Sequence, residues 1–338
     1  MERPDLNGLD PAVIAYITAL EEKVAASESV SSRPSSALPE PSEPPTTMNI
    51  ITIDQDGAAK RTLRHYYMRQ RRGGMGVFDL AGDAEPAFLA AADEDGHLLL
   101  FTDQGRVFRV PVSAIPETEP RGRGASILAG FNLRPDEKIA VVVADGGGPF
   151  LTLVTARGHV RRIGAQSFGP NLHPGAIIHE SNDGDQLAAA AWTSGKGDLF
   201  VAAQSGQAIR FSERHVPVRG CLAMRIKPDD RICGVAGVEE ADGVFLLGED
   251  GKGTVRLMAG FAANKSPGSG GKTALKCERL TGLFPVSAGS ERDAFVLSAS
   301  SKIIRFAVDE VPPKEGVVQG VNCMNLRNDR CVALTASP

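Results

Sequence analysis

The sequence of 338 residues has few cysteines, few aromatic residues and no long apolar run. Its five cysteines are odd in number and form no C-x-x-C pair, which argues against a disulfide framework and against a zinc ribbon. This cysteine usage predicts reduced thiols and a cytoplasmic location. The longest apolar runs, such as residues 139–144, are far shorter than the ~20 residues of a membrane helix, and no apolar signal segment lies at the N-terminus. We therefore expect neither a membrane protein nor a secreted one.

Signatures of catalysis and of cofactor binding are also sparse. The six histidines show no H-x-x-x-H spacing and no G-x-S-x-G turn is present, so neither a metal site nor a serine nucleophile is expected. The segment SPGSGGKT (266–273) approaches the phosphate-binding loop G-x-x-x-x-G-K-[ST]. However, Ser266 replaces its first glycine and no helical pattern follows. We expect no cofactor, no small-molecule substrate and no enzymatic activity.

Charge and composition divide the chain into a leader and a body. The net charge is −4, but residues 1–47 hold eight acidic and three basic residues, whereas residues 48–338 carry a net charge of +1. Apolar residues recur at helical spacing between positions 13 and 24, behind a favourable Asp-Pro helix start. We predict a short amphipathic helix within residues 1–30 and a disordered Pro/Ser-rich linker over residues 31–47.

From residue 48 onward the sequence repeats. Each unit has a β-rich apolar run, a tight turn and a second run with an arginine four residues after the turn, as in LLLFTDQGRVFRVPV with Gly105 and Arg109. The turns fall at positions 57, 105, 158, 206, 251 and 301, so they are 45 to 53 residues apart. In the fifth unit the arginine, Arg256, is one residue out of phase. Four short strands per repeat are typical of propeller blades, so we predict an all-β, six-bladed disk over residues 48–338.

The first unit contains the segment QRRGGMG, residues 70–76. This segment resembles the box motif of the C-terminal DNA-wrapping domain of DNA gyrase A and of its topoisomerase IV counterpart, and the second unit follows the blade pattern of that family. The resemblance covers about residues 48–338 and weakens in the last two units. It implies a six-bladed β-pinwheel that binds double-stranded DNA. Two departures stand out: Met75 lies where the family usually has a basic residue, and the DNA-cleaving region with its tyrosine nucleophile is absent from this sequence.

Basic residues cluster in and around this segment. Six lysines and arginines and no acidic residue lie between Gly57 and Phe78. Arginine pairs bidentately with phosphate oxygens, and glycine lets the backbone approach closely. The candidate DNA-binding residues of the box are Gln70, Arg71, Arg72, Gly73, Gly74 and Gly76. Further candidates on the outer edge of the disk are Lys60, Arg61, Arg64, Arg69, Arg121, Arg123, Arg161, Arg162, Arg214, Arg219, Lys265 and Lys272. The repeated arginines of the Arg109 type have a second interpretation, in which they form salt bridges between blades.

These features predict a non-catalytic protein that bends or wraps duplex DNA around the basic edge of the disk through phosphate contacts. Two cellular roles fit: a nucleoid-associated protein that constrains supercoils, or an accessory protein of a type II topoisomerase. The N-terminal helix would dock on that enzyme or pair two copies of the chain. The alternative is a protein-interaction scaffold that has lost DNA wrapping, which Met75 and the nearly neutral body favour. A nuclease or nucleotide hydrolase has the least support, because neither an acidic cluster nor a complete phosphate loop is present.

Overall fold

The structure, a computed structural model, describes Val13, Ile17, Thr18 and residues 43–338 without Asp83 and 181–183. Backbone contacts divide the chain into two units, Met1–Glu40 and Pro41–Pro338. In the first unit Val13, Ile17 and Thr18 are helical, and the remainder of the predicted helix lies outside the described residues. Most of the predicted linker lies outside them too. Among the described residues, no helix has the length and apolar character needed to cross a membrane.

The second unit consists of six modules of similar build. Each module starts with two long antiparallel strands, continues through a turn of 3-10 helix and one or more short strands, and ends with a long strand. Modules 1 to 3 contain β1 (Met48–Asp54), β2 (Ala58–Leu63), β3 (Val77–Phe78), β4 (Pro86–Asp93), β5 (His97–Thr102), β6 (Arg106–Pro111), β7 (Ala125–Ser126), β8 (Ile139–Ala144), β9 (Phe150–Thr155), β10 (His159–Gly164), β11 (Ala176–Ile177) and β12 (Leu187–Thr193).

Modules 4 to 6 follow the same plan with additional short strands. They contain β13 (Asp198–Ala203), β14 (Gln207–Ser212), β15 (Cys221–Leu222), β16 (Met224–Arg225), β17 (Ile232–Val238), β18 (Gly243–Gly248), β19 (Lys252–Leu257), β20 (Ser269–Gly270), β21 (Lys272–Thr273), β22 (Leu280–Val286), β23 (Asp293–Ser298), β24 (Lys302–Ala307), β25 (Pro313–Lys314), β26 (Val321–Asn322) and β27 (Cys331–Ser337). The 3-10 turns are Arg64–Tyr66, Val112–Ala114, Ala165–Phe168, Glu213–His215, Met258–Gly260 and Val308–Glu310.

Every blade is completed by a short strand from the next module. The first blade has the order β4-β1-β2-β7, in which β7 comes from module 2. The same exchange gives β8-β5-β6-β11, β12-β9-β10-β15 and β17-β13-β14-β21. In the fifth blade, β22-β18-β19, both β25 and β26 of module 6 pair with β19. In the sixth blade, β27-β23-β24-β3, the outer strand comes from module 1, and this pairing closes the ring. The predicted all-β, six-bladed disk is confirmed.

The core is divided into six apolar clusters, one between each pair of neighbouring blades. Side chains such as Phe200, Phe245 and Phe295 have no exposed area. Alternate residues of a strand point to opposite faces, and here both faces are covered by other blades. This is why the long strands are nearly continuous apolar runs rather than alternating ones. Burying each of these rings stabilises the fold by about 1.5–3 kcal/mol.

The last strand of each module lies nearest the axis of the disk. These six strands, β4, β8, β12, β17, β22 and β27, surround a narrow channel of about 200 Å³. The residues that line it are uncharged, mainly alanine, valine, leucine and glycine. The channel therefore offers no charged group to a nucleic acid, and the lysines and arginines lie elsewhere in the disk.

Candidate nucleic-acid interface

Five of the repeated arginines occupy one equivalent position, in the second strand of a module and four residues after its turn. We call them the array arginines: Arg61, Arg109, Arg162, Arg210 and Arg305. Arg210 lies 2.8 Å from Asp198 and 2.6 Å from Glu240. Its Nη1 also donates a hydrogen bond of 2.8 Å to the carbonyl of Met258, in the 3-10 turn of the next module. The guanidinium thus joins two blades.

Three other array arginines make the same connection to the next module. Arg61 donates to the carbonyl of Ile115 at 3.0 Å. Arg162 donates to the carbonyl of Val216 at 3.3 Å. Arg305 of module 6 donates to the carbonyl of Tyr67 in module 1 at 3.1 Å and forms ion pairs with Asp293 and Glu43. The fifth, Arg109, lies 2.7 Å from Asp145 of its own module. The array arginines therefore form salt bridges, but only Arg61 and Arg162 reach a carboxylate of the next module. The other links between blades are hydrogen bonds to backbone carbonyls.

Arg256 is the exception, and its out-of-phase position explains why. The turn at Gly251 lies at the same place as in the other modules. Arg256 therefore pairs with Val244, the second residue of β18, whereas Arg305 of the next module pairs with Phe295, the third residue of β23. A shift of one residue along a strand moves a side chain to the opposite face of the sheet. Arg256 consequently has no carboxylate partner among the described residues, and burial lowers its pKa.

Several residues predicted to bind DNA are instead buried or already paired with a carboxylate. Lys60 has no exposed area and lies 2.7 Å from Asp79. Burial lowers the pKa of Lys60, and the neighbouring carboxylate offsets this only in part. Arg61 and Arg162 belong to the array, and Arg64 is half-buried 3.0 Å from Glu43. We therefore remove these four residues from the DNA surface, because their charged groups are already paired inside the disk.

The box lies at the seam where module 1 meets module 6. The amide of Gln70 donates to the carbonyl of Arg305 at 2.8 Å, and the amide of Gly73 donates to the carbonyl of Cys323 at 2.7 Å. Arg72 donates through Nε to the carbonyl of Glu310 at 2.9 Å. These contacts hold the box against the last blade, so Arg72 is a seam residue.

Gly76 shows why the box needs glycine at its end. Its φ is +71°, and a Cβ at this position would lie 2.5 Å from the carbonyl oxygen of Ile303. The side-chain oxygen of Gln70 accepts a hydrogen bond from the Gly76 amide at 3.3 Å. The glycine therefore lets the chain pass from the box into β3, and β3 pairs with β24 to close the ring.

A buried polar network supports the same seam. The carboxylate of Asp79, directly after β3, accepts hydrogen bonds from the hydroxyl of Thr52 at 2.6 Å and from the hydroxyl of Tyr67. Burial, followed by the charge of Asp79, raises the pKa of Tyr67 well above its usual value. The Asp79 amide donates to the carbonyl of Ser301 in module 6 at 2.8 Å. No sequence signal had singled out Asp79 as the centre of this network.

Other side chains in the box and next to it are exposed. The side chain of Arg71 makes no hydrogen bond or ion pair with any described residue and is open to solvent. Arg69 is about half-exposed and lies 2.9 Å from Asp293. Met75 is also exposed, beside Val77 and Phe78 of β3. Arg71 thus provides the guanidinium of the box that remains available to an anion.

The loops that precede the short outer strands β3, β7, β11, β15, β21 and β26 occupy equivalent places in the six modules. We call them the outer loops: residues 68–76, 116–124, 169–175, 217–220, 262–271 and 312–320. Because each outer strand forms the edge of a blade, these loops follow the perimeter of the disk. Their exposed bases are Arg69, Arg71, Arg121, Arg123, Arg219, Lys265 and Lys314, and Arg214 and Lys272 are exposed next to them. The third outer loop contains neither lysine nor arginine.

The second outer loop is anchored beside the box. The amide of Arg121 donates to the carbonyl of Asp79 at 2.7 Å, and Leu80 forms a bridge with Gly122. Arg121 and Arg123 are exposed and therefore extend the basic surface from module 1 to module 2. In the third module the exposed Arg161 projects from β10 instead of from the outer loop.

The described residues form a closed six-bladed ring with a series of exposed cations on its outer loops. Residues 96–144 and 197–236 match the family described as DNA gyrase C-terminal domain, beta-propeller. The DNA gyrase A protein of Mycobacterium tuberculosis (strain ATCC 25618 / H37Rv) is 31% identical over 295 residues, which is 82% of this chain and 35% of that protein. The corresponding protein of Staphylococcus aureus (strain NCTC 8325 / PS 47) is 27% identical over 307 residues, 86% of this chain and 34% of the relative. The chain spans about a third of the length of these relatives.

Two solved structures share the fold. The C-terminal domain of DNA gyrase A superposes with a TM-score of 0.74 at 20% identity and covers 86% of this chain and 100% of that one. The C-terminal domain of DNA topoisomerase IV has a TM-score of 0.59 at 20% identity, covering 86% and 93%. The predicted resemblance is confirmed: the disk has the fold and the sequence pattern of the gyrase A C-terminal domain. The family match lies in that domain and includes no catalytic domain.

Proposed function

We propose that this chain binds duplex DNA along the outer loops and bends it around the edge of the disk, without contributing a catalytic group. The observation that carries the proposal is the repetition of unpaired, exposed bases at equivalent places of a closed ring. Such bases contact phosphates of any sequence, so the binding would depend on salt rather than on base sequence.

The arrangement over several modules is what bending requires. A duplex has a persistence length of about 150 bp, and bending 20–30 bp by 40–90° costs of the order of 1–6 kcal/mol. A single cluster of bases would hold a straight duplex equally well. Contacts from the box, from the second outer loop and from modules 4 and 5 can offset the bending cost, because they engage the duplex at successive points of a curve.

The biological setting is also a proposal. The gyrase A proteins to which this chain is similar are about three times as long as the region matched. We propose that the chain acts at the bacterial nucleoid in the cytoplasm, with a type II topoisomerase or as a separate nucleoid protein. The contacts of the N-terminal unit with that enzyme or with a second copy belong to the same proposal.

A topology assay tests the proposal directly. The protein is incubated with nicked plasmid at low salt, the nick is ligated, and the linking number of the deproteinised plasmid is measured. We expect a shift that grows with the protein-to-DNA ratio, because DNA bent around a disk holds writhe. Ligation products with the same linking number as the protein-free control would contradict wrapping.

One observation favours a second candidate, the interaction scaffold. Met75, Val77 and Phe78 are 40–49% exposed at the box, and exposed apolar groups of this kind can contact another protein. Copurification of a partner that survives nuclease treatment, combined with an unshifted linking number, would favour the scaffold over the DNA-bending protein.

A further inference from the structure

A cavity of about 570 Å³ lies between the second and third blades, beside the one outer loop that lacks lysine and arginine. Its walls come from β9 and β10, from the segment that follows β11, and from the fourth outer loop. Volumes of this size suit small-molecule ligands. The cavity therefore differs in shape from the convex perimeter on which the other free bases lie.

Three guanidinium groups line this cavity. Arg157 follows β9, Arg161 belongs to β10, and Arg219 comes from the next module. All three are exposed. Arg161 is held on the wall by a hydrogen bond of 3.3 Å from its Nη1 to the carbonyl of Ile178, whereas no described residue pairs with the side chain of Arg157 or of Arg219. Their donors are thus directed to solvent within a concave site.

Gly220 brings the fourth outer loop close to β10. Its φ is +82°, and a Cβ there would lie 2.6 Å from the carbonyl oxygen of Val160 and 3.3 Å from the Cβ of Arg161. Only a residue without a side chain allows this approach in a left-handed conformation. The consequence is that Arg219, the neighbouring residue, lies next to Arg161 although the two belong to different modules.

Two acidic residues, Asp185 and Glu180, are among the described residues that line the cavity, against three arginines. Asp185 accepts hydrogen bonds from the hydroxyl of Thr155 at 2.7 Å and from the amide of Arg157 at 2.9 Å, and it lies 3.5 Å from His159. It is mostly buried and braces the turn between β9 and β10. Glu180 is exposed at the margin, and Nε2 of His179 donates to the carbonyl oxygen of Asp185 at 3.3 Å.

We propose that this cavity binds a ligand that carries two or more phosphate groups. Guanidinium groups pair with phosphate oxygens bidentately, and three of them surround a space that accepts a polyphosphate chain. Leu153 and Leu187, which share one face of the third blade, form an apolar floor that suits the less polar part of such a ligand. The phosphates can come from a free nucleotide or polyphosphate, or from the DNA backbone. Binding at the cavity does not require DNA bending.

Calorimetric titration of the full chain with sodium tripolyphosphate tests the inference. We expect saturable one-to-one binding, weakened about tenfold or more by Arg219→Gln and by Arg161→Gln, since each removes a charged donor. Arg214→Gln is the matched control: it removes the same charge from an exposed side chain of the same module outside the cavity. It should change the dissociation constant less than about twofold.

The outcomes separate this inference from the proposed function. Absence of saturable tripolyphosphate binding would overturn it, and so would an equal loss in Arg214→Gln, because diffuse charge would then explain the binding. The side chain of Arg219 has no partner among the described residues, so its variant is expected to fold even if Arg161→Gln does not. Displacement of tripolyphosphate by a 20-bp duplex would identify the DNA backbone as the source, and simultaneous binding of both would identify a free polyphosphate. DNA binding without tripolyphosphate binding would leave the proposed function standing and refute this site.

Discussion

Two groups of arginines with the same chemistry have opposite places in this protein. The array arginines lie inside the disk, where carboxylates and the carbonyls of the next module surround them. Four outer-loop arginines, Arg71, Arg121, Arg123 and Arg219, lie exposed on the perimeter, and their side chains have no partner among the described residues. Burying a charge is costly unless it is paired and hydrogen-bonded. The buried array arginines accordingly have a close carboxylate, except Arg162, whose carboxylate partner is farther away. The free charge of an outer-loop arginine is instead available to a phosphate.

The box contains a paired arginine and a free arginine at adjacent positions. Arg72 is bonded to Glu310 and Asn322 of module 6, whereas the Arg71 side chain is exposed and has no partner among the described residues. A motif of this kind therefore has two separable parts, one that closes the ring and one that is open to a ligand. The following variants test that separation.

The largest effect is expected from Arg305→Met. This change leaves the buried Asp293 paired only with the half-exposed Arg69 and removes the hydrogen bond to Tyr67, so the free energy of unfolding should fall by about 3 kcal/mol. Urea denaturation followed by circular dichroism measures the loss. Arg71→Met is the control and should stay within about 0.5 kcal/mol of the parent protein. Equal losses in both variants would abolish the distinction between array and outer-loop arginines.

The next effect concerns DNA affinity. Replacing Arg71, Arg121 and Arg123 by alanine should flatten the slope of log K against log salt by about 2.7, because each phosphate contact contributes about 0.9. Fluorescence anisotropy of a labelled duplex at several salt concentrations gives the slope. The control variant replaces Lys138, Arg231 and Arg279, which are exposed in turns before the innermost strands. The two triple variants have the same net charge. An equally flattened slope for the control variant would show that the position of the bases on the disk does not matter for DNA binding.

A smaller loss is expected from Gly76→Ala. The added Cβ clashes with the carbonyl of Ile303 and requires positive φ, so stability should fall by about 1–3 kcal/mol and the β3–β24 pairing should loosen. Gly82→Ala is the control, since Gly82 also has positive φ but a Cβ there meets no described atom within 4 Å. Thermal denaturation compares the two. If both variants melt at the same temperature, the close approach of the box to module 6 does not limit stability.

The smallest effect is the pH dependence contributed by Glu43. Burial raises the pKa of this carboxyl, but hydrogen bonds and charges from Arg305 and Arg64 outweigh burial and lower the pKa below its usual value of 4.5. A lowered pKa in the folded state stabilises the protein above the unfolded pKa, and the stabilisation is lost as pH falls through the folded value. Glu43→Gln should therefore cost about 1 kcal/mol near neutral pH and progressively less below about pH 4. A difference that stayed constant down to pH 3 would contradict this ion pair.

The repeat pattern was sufficient to predict the modules, because turns and apolar runs are local properties. Turns fell where Gly57, Gly105 and Gly158 predicted them, and positive φ is present at each. The role of Lys60 could not be predicted in this way. Lys60 lies in β2, whereas its partner Asp79 directly follows β3. Only the closed ring removes both side chains from water. The sequence shows that Arg256 is one residue out of phase with the other repeated arginines. Only the strand register shows that this shift places its side chain on the opposite face of the sheet.

By itself, the sequence determined that residues 48–338 form six β-rich modules and that the first contains a basic, glycine-rich box, since strand period, turn residues and local charge need no distant partner. The tertiary structure decided which arginines are paired and which are free. That choice depends on strands exchanged between modules, and above all on the pairing of β3 with β24. A buried guanidinium loses its hydration, so carboxylates and carbonyls of the neighbouring blade must pair with it. The same group on an outer loop stays hydrated and can bind a ligand.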